Sequence, residues 1–341
     1  MIRLPKSEIF EAAVVGEKIG LRDRVSLEAF RWFFRRKLAQ VFGDEKRKEY
    51  FAELYQILKS ISDPRSLDDS VWGAVSLAGG TAIPTGHAAN CITDSERSTK
   101  FMRGLREAID QMRTSTGRRV EVLYAGTGPF ASLALPTMAT RKPNDVRFDL
   151  LDIHPESGDN LRRILSLVGF SDHVGRIITA DATDFDFGKA QYDIVMMEVM
   201  GPGLSYEPQL AVMAATKKAL RPGGMMLPER VDLGLVLARD EDFIEGDFTW
   251  SYVAAERDDC PEMIEVEMDL QDVDPGSYPV GVKTRVTVFG SNVVEPDQAI
   301  ITRTTQIGEC DVEQGATRLF ASYPPGADLV YRTYEPSVRV E

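Results

Sequence analysis

From Val120 onwards the chain repeats one grammar, short apolar strand, turn, helix, and this alternation constrains the fold more than any other feature. VEVLYAG, RFDLLDI, GRIITAD and YDIVMME read as four strands, with helix-like segments such as SGDNLRRILSLVG and PQLAVMAATKKAL among them. Strands alternating with helices predict a parallel sheet covered by helices.

The flanking regions follow different patterns. Residues 1–115 read as helical: SLEAFRWFFRRKLAQVFG starts at a candidate cap, Ser26, and stops at Gly43, and EKRKEYFAELYQILKSI places Phe51, Leu54, Tyr55 and Leu58 on one face. A Gly-rich break over 78–86 precedes another helical segment, DSERSTKFMRGLREAIDQMR. Beyond Pro228, IEVEMDLQ alternates strictly and VKTRVTVF follows a turn-rich DVDPGSYP, a signature of antiparallel β-structure. The expected fold class is α/β, with a Rossmann-like sheet, an N-terminal helical region and a C-terminal antiparallel domain. The expected boundaries are 1–115, 116–229 and 230–341.

At 341 residues and 43% hydrophobic content the chain can build two or three packed cores. Its three cysteines, Cys91, Cys260 and Cys310, form no CxxC pair, which argues against a zinc site and for a reducing compartment. The opening MIRLPKSEIFEAAV lacks the layout of a signal peptide, and no apolar run is long enough to span a bilayer, so a cytoplasmic location is expected. A net charge of −13 has the wrong sign for binding nucleic-acid phosphates or anionic lipid. Between Arg239 and Asp274, fourteen Asp and Glu face two Arg, a net of 2 − 14 = −12. That run reads either as a solvated surface or as a field attracting a cationic substrate.

Candidate ligand-binding residues collect where the strands end. Gly126 and Gly128 in AGTGPFA, after the first strand, let backbone approach a ligand at the carboxyl edge of the sheet. Read as GxGxxA the turn suits a dinucleotide; read as GxGP it suits the nucleoside of S-adenosyl-L-methionine. Asp152, ending the second strand, is placed to accept from two ribose hydroxyls in either case, and Asp181, after the third, to accept from an adenine amino group. Either aspartate could instead cap a turn.

The stretch EVMGPGLSYE discriminates among these readings. Glu198 ends the fourth strand, and the Met200–Gly203 turn can fold the chain so that Glu207 faces it. Two carboxylates at one edge repel unless a cation lies between them. A guanidinium is flat, permanently charged and carries five donors, so it can engage both.

EVMGPGLSYE resembles the double-glutamate loop of the protein arginine methyltransferases, matching its Glu, Met, Gly, Leu, Tyr and second Glu at the same spacing. LRPGGMMLPERV resembles the segment leading out to that family's β-barrel, AGTGPFA its Gly-rich loop, and HAANCITDSERSTKF a helix that covers the cofactor. The resemblance spans roughly 86–231. It implies S-adenosyl-L-methionine as cofactor, bound through Gly126, Gly128, Asp152, Asp181, Glu198, the carboxylate-binding Arg97 and a neighbouring His87. It also implies that Glu198, Met200 and Glu207 contact the substrate, that Glu198 and Glu207 are catalytic, and that residues 230–341 form a β-barrel-like substrate domain. No metal is implied.

Several positions depart from the family pattern. Tyr124 stands where an acid is usual, paired tyrosines shortly before His87 are missing, and YFAELY over Tyr50–Tyr55 is better read as core packing. No histidine follows His173, so the family's Thr-His-Trp segment cannot be complete, and nothing after Pro228 reads as a helical dimerisation hairpin. These departures suggest a site remodelled around a small guanidine, with free L-arginine favoured, as in the bacterial free-arginine methyltransferases of antibiotic biosynthesis, including the streptozotocin pathway; peptidyl arginine is the alternative. The apolar faces of the N-terminal helices suggest a homodimer formed through them. A nicotinamide oxidoreductase would leave the two glutamates unexplained, and a non-catalytic adaptor with the same fold is a further alternative.

Overall fold

The computed structural model describes residues 24–42, 47–67, 73–77, 79–188, 191–239, 242–326 and 332–333. Two helices open it, α1 (Arg24–Ala39) and α2 (Arg47–Ile61). Phe30, Phe34 and Leu38 recur at helical spacing on α1, Phe51, Leu54 and Leu58 on α2, and all six are buried. The aromatic residues of YFAELY pack into this core: Tyr50 meets Phe51 edge to face, and the Tyr55 ring lies 6.3 Å from that of Phe130 in the Gly-rich turn.

Where the sequence suggests only a Gly-rich break, the structure has a small hairpin, β1 (Val75–Leu77) pairing with β2 (Gly80–Ala82). Its strands are three residues each, too short for a periodicity to register. Gly79 and Gly80 make the reversal with φ of 90° and 147°, a backbone region where a side chain is strained.

A short helix, α3 (Thr85–Asn90), leads into the long α4 (Ser95–Thr116). Asp94 caps α4, its side chain accepting from the Arg97 N–H at 3.3 Å, and Gly117 ends it at φ 66°. The parallel sheet follows as β3 (Val120–Ala125), α5 (Leu135–Thr140), β4 (Val146–Asp152), α6 (Pro155–Val168), β5 (Val174–Thr179), β6 (Tyr192–Met197), α7 (Gln209–Lys217) and β7 (Leu220–Leu227). The strand order is β5-β4-β3-β6-β7 and every pairing is parallel. All six residues of β6 are buried, and in β3 all but Glu121. The chain thus winds one way from β3 to β4 and β5 and the other way from β6 to β7, and ligand crevices form at the carboxyl ends of strands where that direction switches. The Pro222-Gly223-Gly224 stretch lies within β7, which pairs irregularly with β6 there.

Antiparallel structure takes over with β8 (Arg230–Arg239), β9 (Asp242–Val253), β10 (Ile264–Asp269), β11 (Gly276–Phe289), β12 (Asn292–Val294), β13 (Thr305–Val312) and β14 (Arg318–Tyr323). β11 sits between β8 and β13, and its 14 residues begin inside the segment that reads as a turn. Helix α4 joins the two layers. Its Gly104 fits so closely that an added Cβ would fall 2.8 Å from a Val288 methyl, Glu107 accepts from Asn292 at 2.7 Å, and Asp94 accepts from the Ile300 N–H at 2.7 Å. Among the described residues no helix is long and apolar enough to cross a membrane.

Candidate active site

A cleft of about 370 Å³ opens at the carboxyl edge of the parallel sheet. Every residue nominated from the sequence lines it: His87, Arg97, Gly126, Gly128, Asp152, Asp181, Glu198, Met200 and Glu207. The described residues of the acidic run over 239–274 contribute none of the lining. Three of its carboxylates are in ion pairs elsewhere, Glu245 with Lys283 and Glu267 with Arg318 at 2.8 Å and Asp258 with Lys217 at 2.9 Å.

One end of the cleft is built from backbone and carboxylates. Gly126 adopts φ 73°, and an added Cβ would fall 2.2 Å from a Val199 methyl, so the Gly-rich turn and the start of the glutamate loop touch directly. Asp152 is buried; its two oxygens accept from the N–H of Gly128 at 2.7 Å and of His154 at 3.0 Å. Burial pushes its carboxyl above the usual range, against the lowering by those N–H groups and by His154. Asp181 accepts from both the N–H and the hydroxyl of Thr183, at 2.8 and 2.7 Å, and so closes a local turn as well as lining the cleft. His87 sits on α3 with its side chain exposed at the rim.

The other end is the glutamate loop. Arg97, only 3% exposed, reaches from α4 to pair with Glu198, while its second terminal nitrogen donates to the Cys91 carbonyl at 2.7 Å. Its Nε is buried without a partner among the described residues. Glu207 lies near enough for the Arg97 charge to lower its pKa; burial outweighs that and raises it to about 7. One guanidinium is thus paired with Glu198 and felt electrostatically at Glu207.

The loop between them is held from several sides. Val199 donates to the Gln209 side chain and Gln209 donates to the Glu207 carbonyl, both at 3.0 Å, which fastens the loop's two ends together. Thr81 of the hairpin donates to the Tyr206 carbonyl at 2.6 Å. From the β domain, Thr284 accepts from the Gly203 N–H and Tyr323 donates to the Gly203 carbonyl, both at 2.8 Å. Leu204 and Tyr206 hold φ of 56° and 65°, values that cost non-glycine residues about 1–3 kcal/mol each and persist only where their surroundings fix them.

Sequence reasoning missed several contributors. Leu77, Ala82 and Ile83 from the hairpin, Tyr124 from β3, and Ile300 and Ile301 from the β domain also line the cleft. The Ile83 carbonyl lies 2.9 Å from His154 Nε2, so the hairpin connection is tied to the end of β4. A histidine two residues after a strand-ending Asp was a readable signal; the isoleucines offered none.

No protein-family model and no curated protein sequence matches the chain. Solved structures do match. One is the PRMT1 enzyme-prozyme heterotetrameric complex of Trypanosoma brucei with AdoHcy, at 14% identity and a TM-score of 0.50 over 70% of this chain and 87% of that one. The chain has a protein-arginine-methyltransferase-like fold. At that identity the likeness is one of architecture: parallel sheet, N-terminal helices and C-terminal antiparallel strands.

Proposed function

We propose that the protein is an S-adenosyl-L-methionine-dependent N-methyltransferase acting on a guanidino group, with free L-arginine as the favoured substrate. The observation that carries this reading is that Glu198 and Glu207 line one cleft, where Glu198 is paired with the guanidinium of Arg97 and Glu207 is buried within reach of the same charge. A pocket that already holds one guanidinium against a carboxylate has the chemistry to hold another.

The residues present suit the cofactor. Buried polar atoms without partners among the described residues, Thr127 Oγ1 and Arg97 Nε, stand in residues that line the cleft. Asp152 would hold the ribose hydroxyls, Asp181 the adenine amino group, the backbone at Gly126 and Gly128 the nucleoside side, and Arg97 the carboxylate, with His87 beside it. The bound cofactor supplies an activated methyl group on a sulfonium sulfur. The AdoHcy named with the fold neighbour supports this choice, and that neighbour's heterotetrameric assembly supports oligomerisation; the apolar faces of the two N-terminal helices are buried within the chain itself and so do not argue for a homodimer through them.

Glu198 and Glu207 orient the substrate guanidinium and offset its repulsion by the cationic donor. Two unit charges about 4 Å apart cost on the order of 4 kcal/mol at an effective dielectric near 20. The same preplaced negative charge stabilises positive charge developing on the guanidine nitrogen. Positioning supplies most of the remaining effect, and no strong base is needed, because the guanidine proton becomes acidic only as its nitrogen is alkylated.

The lack of a histidine after His173, where the family carries its Thr-His-Trp segment, favours a small substrate over a peptide. Mass spectrometry of reactions offered free arginine or an Arg-Gly-rich peptide tests the choice: a methyl group gained by arginine supports it, and gain by the peptide alone makes the protein a protein arginine methyltransferase.

A further inference from the structure

We propose that Thr284 and Tyr323, two residues of the β domain, are positioning residues for the glutamate pair. The proposal rests on the reading of Glu198 and Glu207 above. Gly203 stands inside the loop that joins them, and it is gripped at both backbone groups: its N–H donates to Thr284 Oγ1 and its carbonyl accepts from the Tyr323 hydroxyl, each at 2.8 Å. Thr284 is 0% exposed and Tyr323 is 4% exposed, so water cannot substitute readily for either contact. One residue on, the Leu204 carbonyl accepts from the Gly326 N–H at 2.8 Å, just past the end of β14.

The loop needs this grip because its own backbone does not favour the shape it takes. Gly203, Leu204 and Tyr206 all lie at positive φ, and two of the three are not glycine. The hydrogen bonds at the loop's base, through Gln209, fix where it starts and ends, Thr81 holds the Tyr206 carbonyl, and the β domain grips the apex at Gly203. Thr284 has its backbone committed to the sheet, paired with Leu233 of β8, so it is the side chain that reaches the loop. In this way the β domain sets how Glu207 stands relative to Glu198 without itself touching the reacting atoms.

Conservative substitutions separate positioning from packing. Thr284→Val keeps the volume and removes the acceptor; Thr284→Ser keeps the hydroxyl and removes a methyl; Tyr323→Phe removes only the donor. Loss of one buried hydrogen bond that aligns the reactants should lower kcat roughly tenfold. The expected result is that fall in Thr284→Val and Tyr323→Phe, recovery in Thr284→Ser, and a cofactor Kd unchanged within about twofold. Hydrogen exchange of the ligand-free protein over residues 198–209 should speed up in the Val and Phe variants and not in the Ser variant. Turnover within about twofold of wild type in both Val and Phe variants overturns the proposal, as does unchanged exchange in the loop, or a larger loss in Ser than in Val. Should Thr284→Val fail to fold, Tyr323→Phe decides alone. A wild-type protein that methylates no guanidine refutes the proposed reaction, and the exchange data still decide whether the grip exists.

Discussion

The Arg97 guanidinium is bonded to Glu198, a residue 101 positions later in the chain, and the pair sits almost wholly out of water. Helix α4 supplies the cation and the end of β6 the anion, so the helix covering the cleft and the strand below it are joined by charge. A planar fork is what suits this contact: one terminal nitrogen faces Glu198, the other the Cys91 carbonyl.

Arg97→Lys keeps the charge and loses the fork, and is therefore not conservative here. We expect cofactor affinity to fall by about tenfold or more, as measured by calorimetry with the demethylated cofactor, since an ammonium cannot hold Glu198, the Cys91 carbonyl and a ligand carboxylate in one plane.

Glu207 makes the protein sensitive to pH near neutrality. Its pKa is raised from 4.5 to about 7, chiefly by burial. A raised carboxyl favours the folded state while protonated, so its contribution is fully present below about 4.5 and is lost as pH rises through about 7. Thermal unfolding should show wild type losing Tm relative to Glu207→Gln across that window. Catalysis runs the other way, because the ionised carboxylate is the one that holds a guanidinium: kcat/KM should climb as pH passes about 7.

Gly126→Ala tests the contact between the Gly-rich turn and the glutamate loop. The position has φ 73° and no room for a methyl beside Val199. Strain and overpacking together should cost about 2–4 kcal/mol of stability, read as a lower denaturation midpoint, with cofactor binding weakened alongside it.

How much of this was legible in the sequence follows from range. The strands at 120–125, 146–152, 174–179 and 192–197 each carry their pattern within a few residues, and the fold shows there as expected. Glu198 and Glu207 were readable because one short loop carries both, with glycines and a proline to bend it. The grip on that loop was not, because Thr284 and Tyr323 stand 81 and 120 residues from Gly203 and look like ordinary strand residues. The hairpin at 75–82 was missed for a different reason: glycines that signal a break are the ones that make its turn, and its pairing with the Tyr206 carbonyl has no local signature. The acidic run was visible, but only the fold shows that it stays outside the cleft.

Glu198→Gln should still bind the demethylated cofactor through Asp152, Asp181 and the Gly-rich turn, which are untouched, while losing most turnover, a fall of about a hundredfold or more.

The most direct test of the carboxylate pair is methyl transfer from S-adenosyl-L-methionine to free arginine, followed by mass spectrometry for wild type, Glu198→Gln and Glu207→Gln side by side. The account predicts arginine carrying one added methyl group on a guanidino nitrogen with wild type, and little or none with either variant. Equal product from all three proteins would contradict it.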